Sequence, residues 1–433
     1  MTQSTINFYQ GTAGRSEQFL YNNESAIVDA GDFDDYVQFS SALAYDQTVY
    51  GGLGFDIIST GFGNDTIFGD RPSDGDGDGS TNPDWITAGP GNDVVLGQSG
   101  EDYVNGDIGN DYIAGGAGKD LLQGGFGDDT VLGGAGDDRL IGGAVDPLTY
   151  GYSLSIVVSY DGISGLLLIT PTTINGQPGL LTAIATGNDT LSGGDGNDKM
   201  SGQDGNDTLR GDAGVDFIEG GAGGDDIDGG SGFDFAFYEG SATGVTVNLA
   251  LGIGQGGDAA GDTLTGIESL VGSGFVDNLI GSGGSESLYG GAGNDILIGG
   301  AGNDELQGGA GLDKLTGGTG RDTFYGGANK DIFDFNAINE SVRGANRDKI
   351  MDLKRGQHDK IDVAGIDANT HKAGNQKFTF IGAQGFHDVK GELHYVKAGA
   401  NLLVQGDVNG DGKADFEIFV LNVTAFAAGD FIL

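Results

Sequence analysis

Gly290 to Asp331 reads GGAGNDILI GGAGNDELQ GGAGLDKLT GGTGRDTFY GGANKD. One nine-residue unit repeats along it. The unit holds two glycines, a variable residue, a glycine, a variable residue, an aspartate, and a short strand with an apolar centre. Glycines supply the positive φ angles and the close backbone approach of a tight turn. The aspartate ends the turn and presents a carboxylate at the same height every nine residues. Two units make one coil of a parallel β-solenoid, so turns on one edge stack about 4.8 Å apart. A carboxylate ladder at that spacing repels itself unless cations lie between the rungs. Oxygen-only ligands, aspartate side chains plus turn carbonyls, select a hard cation of flexible geometry, Ca²⁺.

Outward from this stretch the unit recurs in three blocks. In the first, residues 51–144, turn carboxylates fall at Asp56 and Asp65 and, after an insertion, at Asp84, Asp93, Asp102, Asp111, Asp120, Asp129 and Asp138. In the second, 186–237, they are Asp189, Asp198, Asp207, Asp216, Asp225 and Asp234. In the third, 272–334, they are Asp277, Glu286, Asp295, Asp304, Asp313, Asp322 and Asp331. Two residues after each carboxylate stands an apolar residue, from Ile58 to Phe333, which is the inward core position of the coil. The residue before the aspartate is often asparagine, as at Asn64, Asn92, Asn110 and Asn294, a residue that tolerates left-handed turns. One ion between each turn and the turn two units on gives up to about 14 full sites, fewer if Glu286 or the Gly272–Asp277 turn, where Phe275 replaces a glycine, fails to bind.

Composition sets the outer bounds. The 433 residues carry 64 acidic against 20 basic side chains, a formal charge of −44. That excludes nucleic acid or an anionic membrane as a general partner. It also predicts an expanded chain when calcium is scarce, so that the binding energy of calcium is folding energy. The 88 glycines have no three-residue period, which excludes collagen. Without cysteine there is no disulfide framework and no thiolate site. The start, MTQSTINFYQ, lacks the basic and apolar segments of a Sec signal peptide. No apolar run approaches the roughly 18 residues of a transmembrane helix.

Five segments depart from the repeat. Residues 1–50 echo it with lost glycines and read as a terminal cap of degenerate repeats. Within Ser73–Asp84, the series Asp74, Asp76, Asp78, Gly79 matches the opening of an EF-hand-type loop, but Trp85 stands where the loop needs glutamate; a further Ca²⁺ loop and a plain acidic loop both fit. Residues 145–185 form an apolar β insertion read as three strands around Asn-Gly and Pro-Gly turns. It is either an exposed flap for self-association or adhesion, or a small β unit on the flank of the solenoid. Residues 238–271 form a spacer. In residues 335–433 glycine thins out, and Asp407, Asn409, Asp411 and Asp415 compose D-x-N-x-D-G-x-x-D, which fits a Ca²⁺ loop or a polar hairpin turn.

The nonapeptide GGxGxD pattern resembles that of the RTX (repeats-in-toxin) family. The last hundred residues, with IFDF, DKIMDLKRGQHDKIDVAGID and the end Asp430-Phe431-Ile432-Leu433, are similar to the C-terminal module of serralysin-type secreted proteins. That resemblance implies an all-β parallel β-roll with β insertions and a β-sandwich-like cap. It also implies export by an ABC-type type I secretion system through an uncleaved C-terminal signal, to the cell surface or beyond. No catalytic motif accompanies it: no histidine is followed by Glu-x-x-His and no G-x-S-x-G elbow occurs. The reading is a non-enzymatic, secreted, calcium-binding β-roll protein, a surface or matrix component that self-assembles as a surface layer or fibre. The alternatives are an adhesin or host-interaction factor, or a polysaccharide lyase or epimerase.

Overall fold

The computed structural model describes residues 7–10, 18–21, 26–31, 34–39, 45–70, 82–143, 157–160, 163–166 and 187–433. Among the described residues there is no α-helix; short strands and isolated 3-10 turns supply all the regular structure. The chain divides into two compact units, Met1–Leu132 with Leu140–Thr190, and Gly133–Arg139 with Leu191–Leu433.

In the first unit the strands pair in parallel into two sheets. One takes Ala26–Gly31, Thr48–Gly52, Thr66–Phe68, Val94–Ser99 and Tyr112–Ala117 in turn. The other takes Gln18–Tyr21, Tyr36–Phe39, Ile57–Ser59, Trp85–Pro90, Tyr103–Ile108 and Leu121–Phe126. Consecutive strands alternate between the sheets, so two nine-residue units close one coil. Tyr103 accordingly lies opposite Leu121. Parallel strands need a long crossover, and here the opposite wall of the coil provides it. The degenerate N-terminal repeats form rungs of the same kind, because they keep the alternation of Val28, Val37 and Val49 into the core. Across the first insertion the bonded turns lie 28 residues apart, against 18 between uninterrupted repeats, so the register passes the insertion unchanged. Asp74, Asp76 and Asp78 lie outside the described residues. Of the second insertion, the described residues form one antiparallel pair, Val157–Tyr160 with Ile163–Leu166; the third expected strand lies outside the described residues.

The second unit repeats the plan. One sheet carries Asn278–Ile280, Ile296–Gly302, Lys314–Gly320, Ile332–Asp334, Lys360–Asp362 and Phe431–Ile432, all parallel. The other carries Lys199–Asp204, Phe217–Ala222, Phe235–Phe237, Ser269–Val271, Ser287–Ala292, Glu305–Ala310, Thr323–Ala328, Lys349–Ile350 and Phe416–Val420. The spacer carries the strand Thr246–Asn248 and leads back into the roll, since Thr263–Thr265 and Ser269–Val271 are rungs of it. Nor does the roll end near residue 334. It runs into the C-terminal segment, where Phe416–Val420 is both a parallel rung and the edge of an antiparallel meander with Asn401–Asp407 and Glu392–Ala398.

The core follows from the period-2 alternation within each short strand. Its centre points inward and its neighbours outward. Every expected inward residue, from Ile58 to Phe333, is 3% exposed or less. In the second unit Leu279, Leu297, Leu315 and Phe333 stack in register down one wall. Near the last coils the inward side chains become aromatic. Phe324 meets Phe333 at 6.1 Å and Phe335 at 5.8 Å, both edge-on. A core this thin has no second layer to collapse into a hole. Leu306→Ala, in the middle of a fully buried column, is expected to cost about 2–5 kcal/mol. Denaturant unfolding at saturating calcium measures it, and a loss well below that range contradicts the packing described.

Candidate metal centre

Each turn is built so that oxygen atoms converge where a glycine lacks its Cβ. At Gly290, the first glycine of its turn, an added Cβ would stand 2.6 Å from Asp295 Oδ2 and 2.6 Å from the carbonyl oxygen of Gly308 in the next turn. The second glycine, Gly291, has φ +95°, and a Cβ there would meet the Ser273 carbonyl oxygen of the preceding turn at 2.5 Å. The carboxylate and the carbonyls of two stacked turns thus close on one space. Left-handed backbone recurs at the second position, and several residues that replace the glycine there still adopt it: Gln98, Asp107, Gln203 and Asp212 all have positive φ, whereas Ser273 and Ser282 do not.

The aspartates form ladders. In the first unit the amide of Asp84 donates to Asp102 Oδ1 at 2.8 Å and that of Asp93 to Asp111 Oδ1 at 2.8 Å. The same bond joins Asp129 to Asp189, 60 residues on, across the second insertion. In the second unit it joins Asp198 to Asp216 to Asp234, Asp295 to Asp313 to Asp331, and Glu286 to Asp304 to Asp322. One carboxylate oxygen is therefore satisfied by backbone one coil away. The other is not. The Oδ2 atoms of Asp56, Asp65, Asp84, Asp93, Asp102, Asp111, Asp129, Asp198, Asp216, Asp225, Asp234, Asp295, Asp304, Asp313, Asp322 and Asp331 are buried without a hydrogen-bond partner. Buried oxygens left unpaired cost several kcal/mol each in a protein interior, and so large a set demands a counter-ion. Burial, reinforced by the neighbouring carboxylates, pushes Asp84 up to about 9 and Asp93 up to about 8. These carboxylates resist ionising unless a positive charge joins them. Among the described residues no three acidic or histidine side chains converge on one point. Each candidate position mixes carboxylate with backbone carbonyl, the ligand set of a hard cation such as Ca²⁺. The residues present fit that ion.

Not every expected position shares this geometry. Asp277 Oδ2 accepts from the Ser273 amide at 2.7 Å and its Oδ1 from Ser273 Oγ at 2.8 Å. Glu286 folds back onto Gly284 N–H and Ser282 Oγ with one oxygen, while Oε2 stays unpaired. Asp407 lies in the hairpin between Asn401–Asp407 and Phe416–Val420, and its two oxygens accept from Gly410 and Gly412 amides. Asp415 accepts from the Val408 and Asn409 amides, Asn409 accepts from Asp411, and Asp411 accepts from Lys413. That segment has the bonding of a polar hairpin turn.

Sequence reasoning missed four carboxylates of the ladders in the second unit. Asp262 accepts from the Asp225 amide, Glu268 from Asp234, Asp348 from Asp322 and Asp359 from Asp331. They lack the full glycine set of the repeat, but each keeps the carboxylate-x-apolar signature, with Leu264, Leu270, Ile350 and Ile361 buried two residues on. The asparagines before the aspartates also act differently from expectation. None of Asn64, Asn92, Asn110 or Asn294 is left-handed. Their side chains make a second, outer ladder, in which Asn64 Oδ1 accepts from the Asn92 amide at 2.8 Å and Asn92 Oδ1 from Asn110 at 3.0 Å.

Gly290→Ala tests the cradle. The new methyl would occupy the space shared by Asp295 Oδ2 and the Gly308 carbonyl. The expected result is a calcium midpoint for folding shifted upward, read by circular dichroism, whereas an exposed Ala292→Gly change in the same turn leaves it in place.

The family model described as the RTX calcium-binding nonapeptide repeat (4 copies) matches residues 42–71, 78–113, 114–146, 185–209, 201–236, 262–297, 271–306 and 307–337, more than half of the chain. No curated protein sequence matches. Among solved structures, the AlgE6R3 subunit of the Azotobacter vinelandii mannuronan C5-epimerase is 27% identical, with 36% of this chain and 78% of that one covered and a TM-score of 0.17. The extracellular lipase LipA from Serratia marcescens is 14% identical, with 77% of this chain covered and a TM-score of 0.24. This chain spans 45% of the lipase's length.

Proposed function

We propose, from the premise that this chain belongs to the RTX calcium-binding nonapeptide repeat family, that it is a secreted, non-enzymatic β-roll whose fold is switched on by extracellular calcium. In this reading Asp84 to Asp138, Asp189 to Asp234 and Asp295 to Asp331 of the repeat series hold Ca²⁺ between stacked turns, with Asp56 and Asp65 at the start of the first block. The observation that carries it is the run of buried carboxylate oxygens without partners. Sites of this kind in extracellular modules work at about 10⁻⁴ to 10⁻³ M calcium. The cytosol supplies far less, so the chain stays unfolded there and passes through a type I exporter. Millimolar calcium outside then folds it.

The role outside is that of a surface or matrix component that assembles with copies of itself. The repeat series takes up most of the chain, and outward turn positions carry apolar side chains such as Phe62, Ile108 and Leu312, which are 43%, 50% and 56% exposed. Light scattering on the purified chain at millimolar calcium tests this. Calcium-dependent growth of large particles, reversed by chelator, is the expected result. A strict monomer under those conditions contradicts assembly and leaves the calcium-folding half of the reading to be judged by its own test.

A further inference from the structure

Unpaired oxygens, rather than the glycine signature, sort the turns into those that need an ion and those that do not. Three ladder carboxylates in the second unit have their second oxygen satisfied by the chain. Tyr238 O–H donates to Asp262 Oδ2 at 3.0 Å, the Ser273 amide to Asp277 Oδ2 at 2.7 Å, and the Lys354 amide to Asp359 Oδ2 at 2.6 Å. Asp348 differs. It lies beyond the last matched repeat, it is 0% exposed, and its Oδ1 accepts from the Asp322 amide at 2.8 Å. Its Oδ2 is buried without a partner, as is Asp322 Oδ2 in the turn below. Two fully buried carboxylates are thus stacked, each with one bare oxygen. Glu340 adds a third negative charge that acts on both.

The geometry points to a further divalent-cation site of the calcium class between Asp322 and Asp348, at the junction of the third repeat block and the C-terminal segment. This rests on the calcium reading of the ladders. Such an ion would do more than lengthen a column. The Asp348 amide donates to Ser341 Oγ, which donates to the Glu417 carbonyl, and the Phe419 amide donates to the Asp348 carbonyl. Asp348 is therefore stitched to the strand Phe416–Val420, and a cation held there ties the C-terminal meander to the roll.

The test is a calcium count on the full-length chain by equilibrium dialysis, with hydrogen exchange of residues 392–420 as a second readout. Asp348→Asn keeps an acceptor for the Asp322 amide and removes the charge. It is expected to bind one ion fewer than the wild type and to lose calcium-dependent protection in the meander. Asp359→Asn, at the other edge of the same coil, is expected to keep the full count. Should Asp348→Asn fail to fold, Asp348→Glu, which retains the charge, is expected to restore both fold and count. An unchanged count in Asp348→Asn overturns the site, and so does an equal loss in Asp359→Asn, or an Asp348→Glu chain one ion short. A wild-type chain that binds no calcium overturns the underlying reading as well, which separates the two failures.

Discussion

Stripping calcium with EGTA at neutral pH is expected to erase the β-roll signal in circular dichroism and to expand the chain towards a radius of gyration of about 75 Å, the value for an unfolded chain of this length. Two features set the size of the effect. The chain carries a formal charge of −44, and its most negative groups are stacked inside turns where water does not reach Oδ2. The thin apolar column of one residue per strand has to hold against that repulsion alone once the ions leave. Most two-layer domains bury far more apolar surface per backbone residue fixed. Returning calcium is expected to restore the roll, because the information for it lies in the turn sequence. Retention of full β structure in EGTA would contradict the account.

Acid is expected to replace calcium in part. In the metal-free fold, burial, with carboxylate neighbours adding to it, pushes Asp84 up to about 9, Asp93 to about 8, and Asp56, Asp111, Asp225, Asp295 and Asp331 to about 7. An unfolded aspartate titrates at about 3.9. Between those values the folded state binds more protons than the unfolded state, so the stability of the metal-free fold falls as pH rises. It is greatest below about pH 4 and is lost progressively up to about pH 9. The chain in EGTA is therefore expected to regain β structure near pH 5, above its isoelectric point of about 4.1, and to lose it at pH 8. Saturating calcium is expected to flatten this dependence, since ligation holds the same carboxylates ionised. A metal-free chain that grows more stable from pH 5 to pH 8 would refute the link between burial and charge.

Much of this was legible in the sequence because the repeat is a one-dimensional code. The nine-residue period dictates the parallel coil, and the residue two after each aspartate marks the core. What escaped was carried by partners far apart in sequence. Asp262 and Asp348 take ladder positions without the full glycine set of the repeat, and only stacking reveals whose amide they accept from. Asp277 fits the repeat yet spends both oxygens on Ser273, a bond that depends on the local turn shape. The asparagines suggested left-handed backbone, because propensity describes a residue alone. In the coil their side chains bridge to the next turn instead. The roll's extension to Phe416–Val420 and Phe431–Ile432 has no period to announce it.

The central claim is that calcium occupies the turns and that its binding is the folding energy. Equilibrium dialysis of the full-length chain against calcium, with circular dichroism recorded on the same samples, tests it most directly. The account predicts on the order of ten or more ions per chain, taken up over the same narrow calcium range in which β structure appears. A chain that folds fully while binding only one or two ions would contradict it.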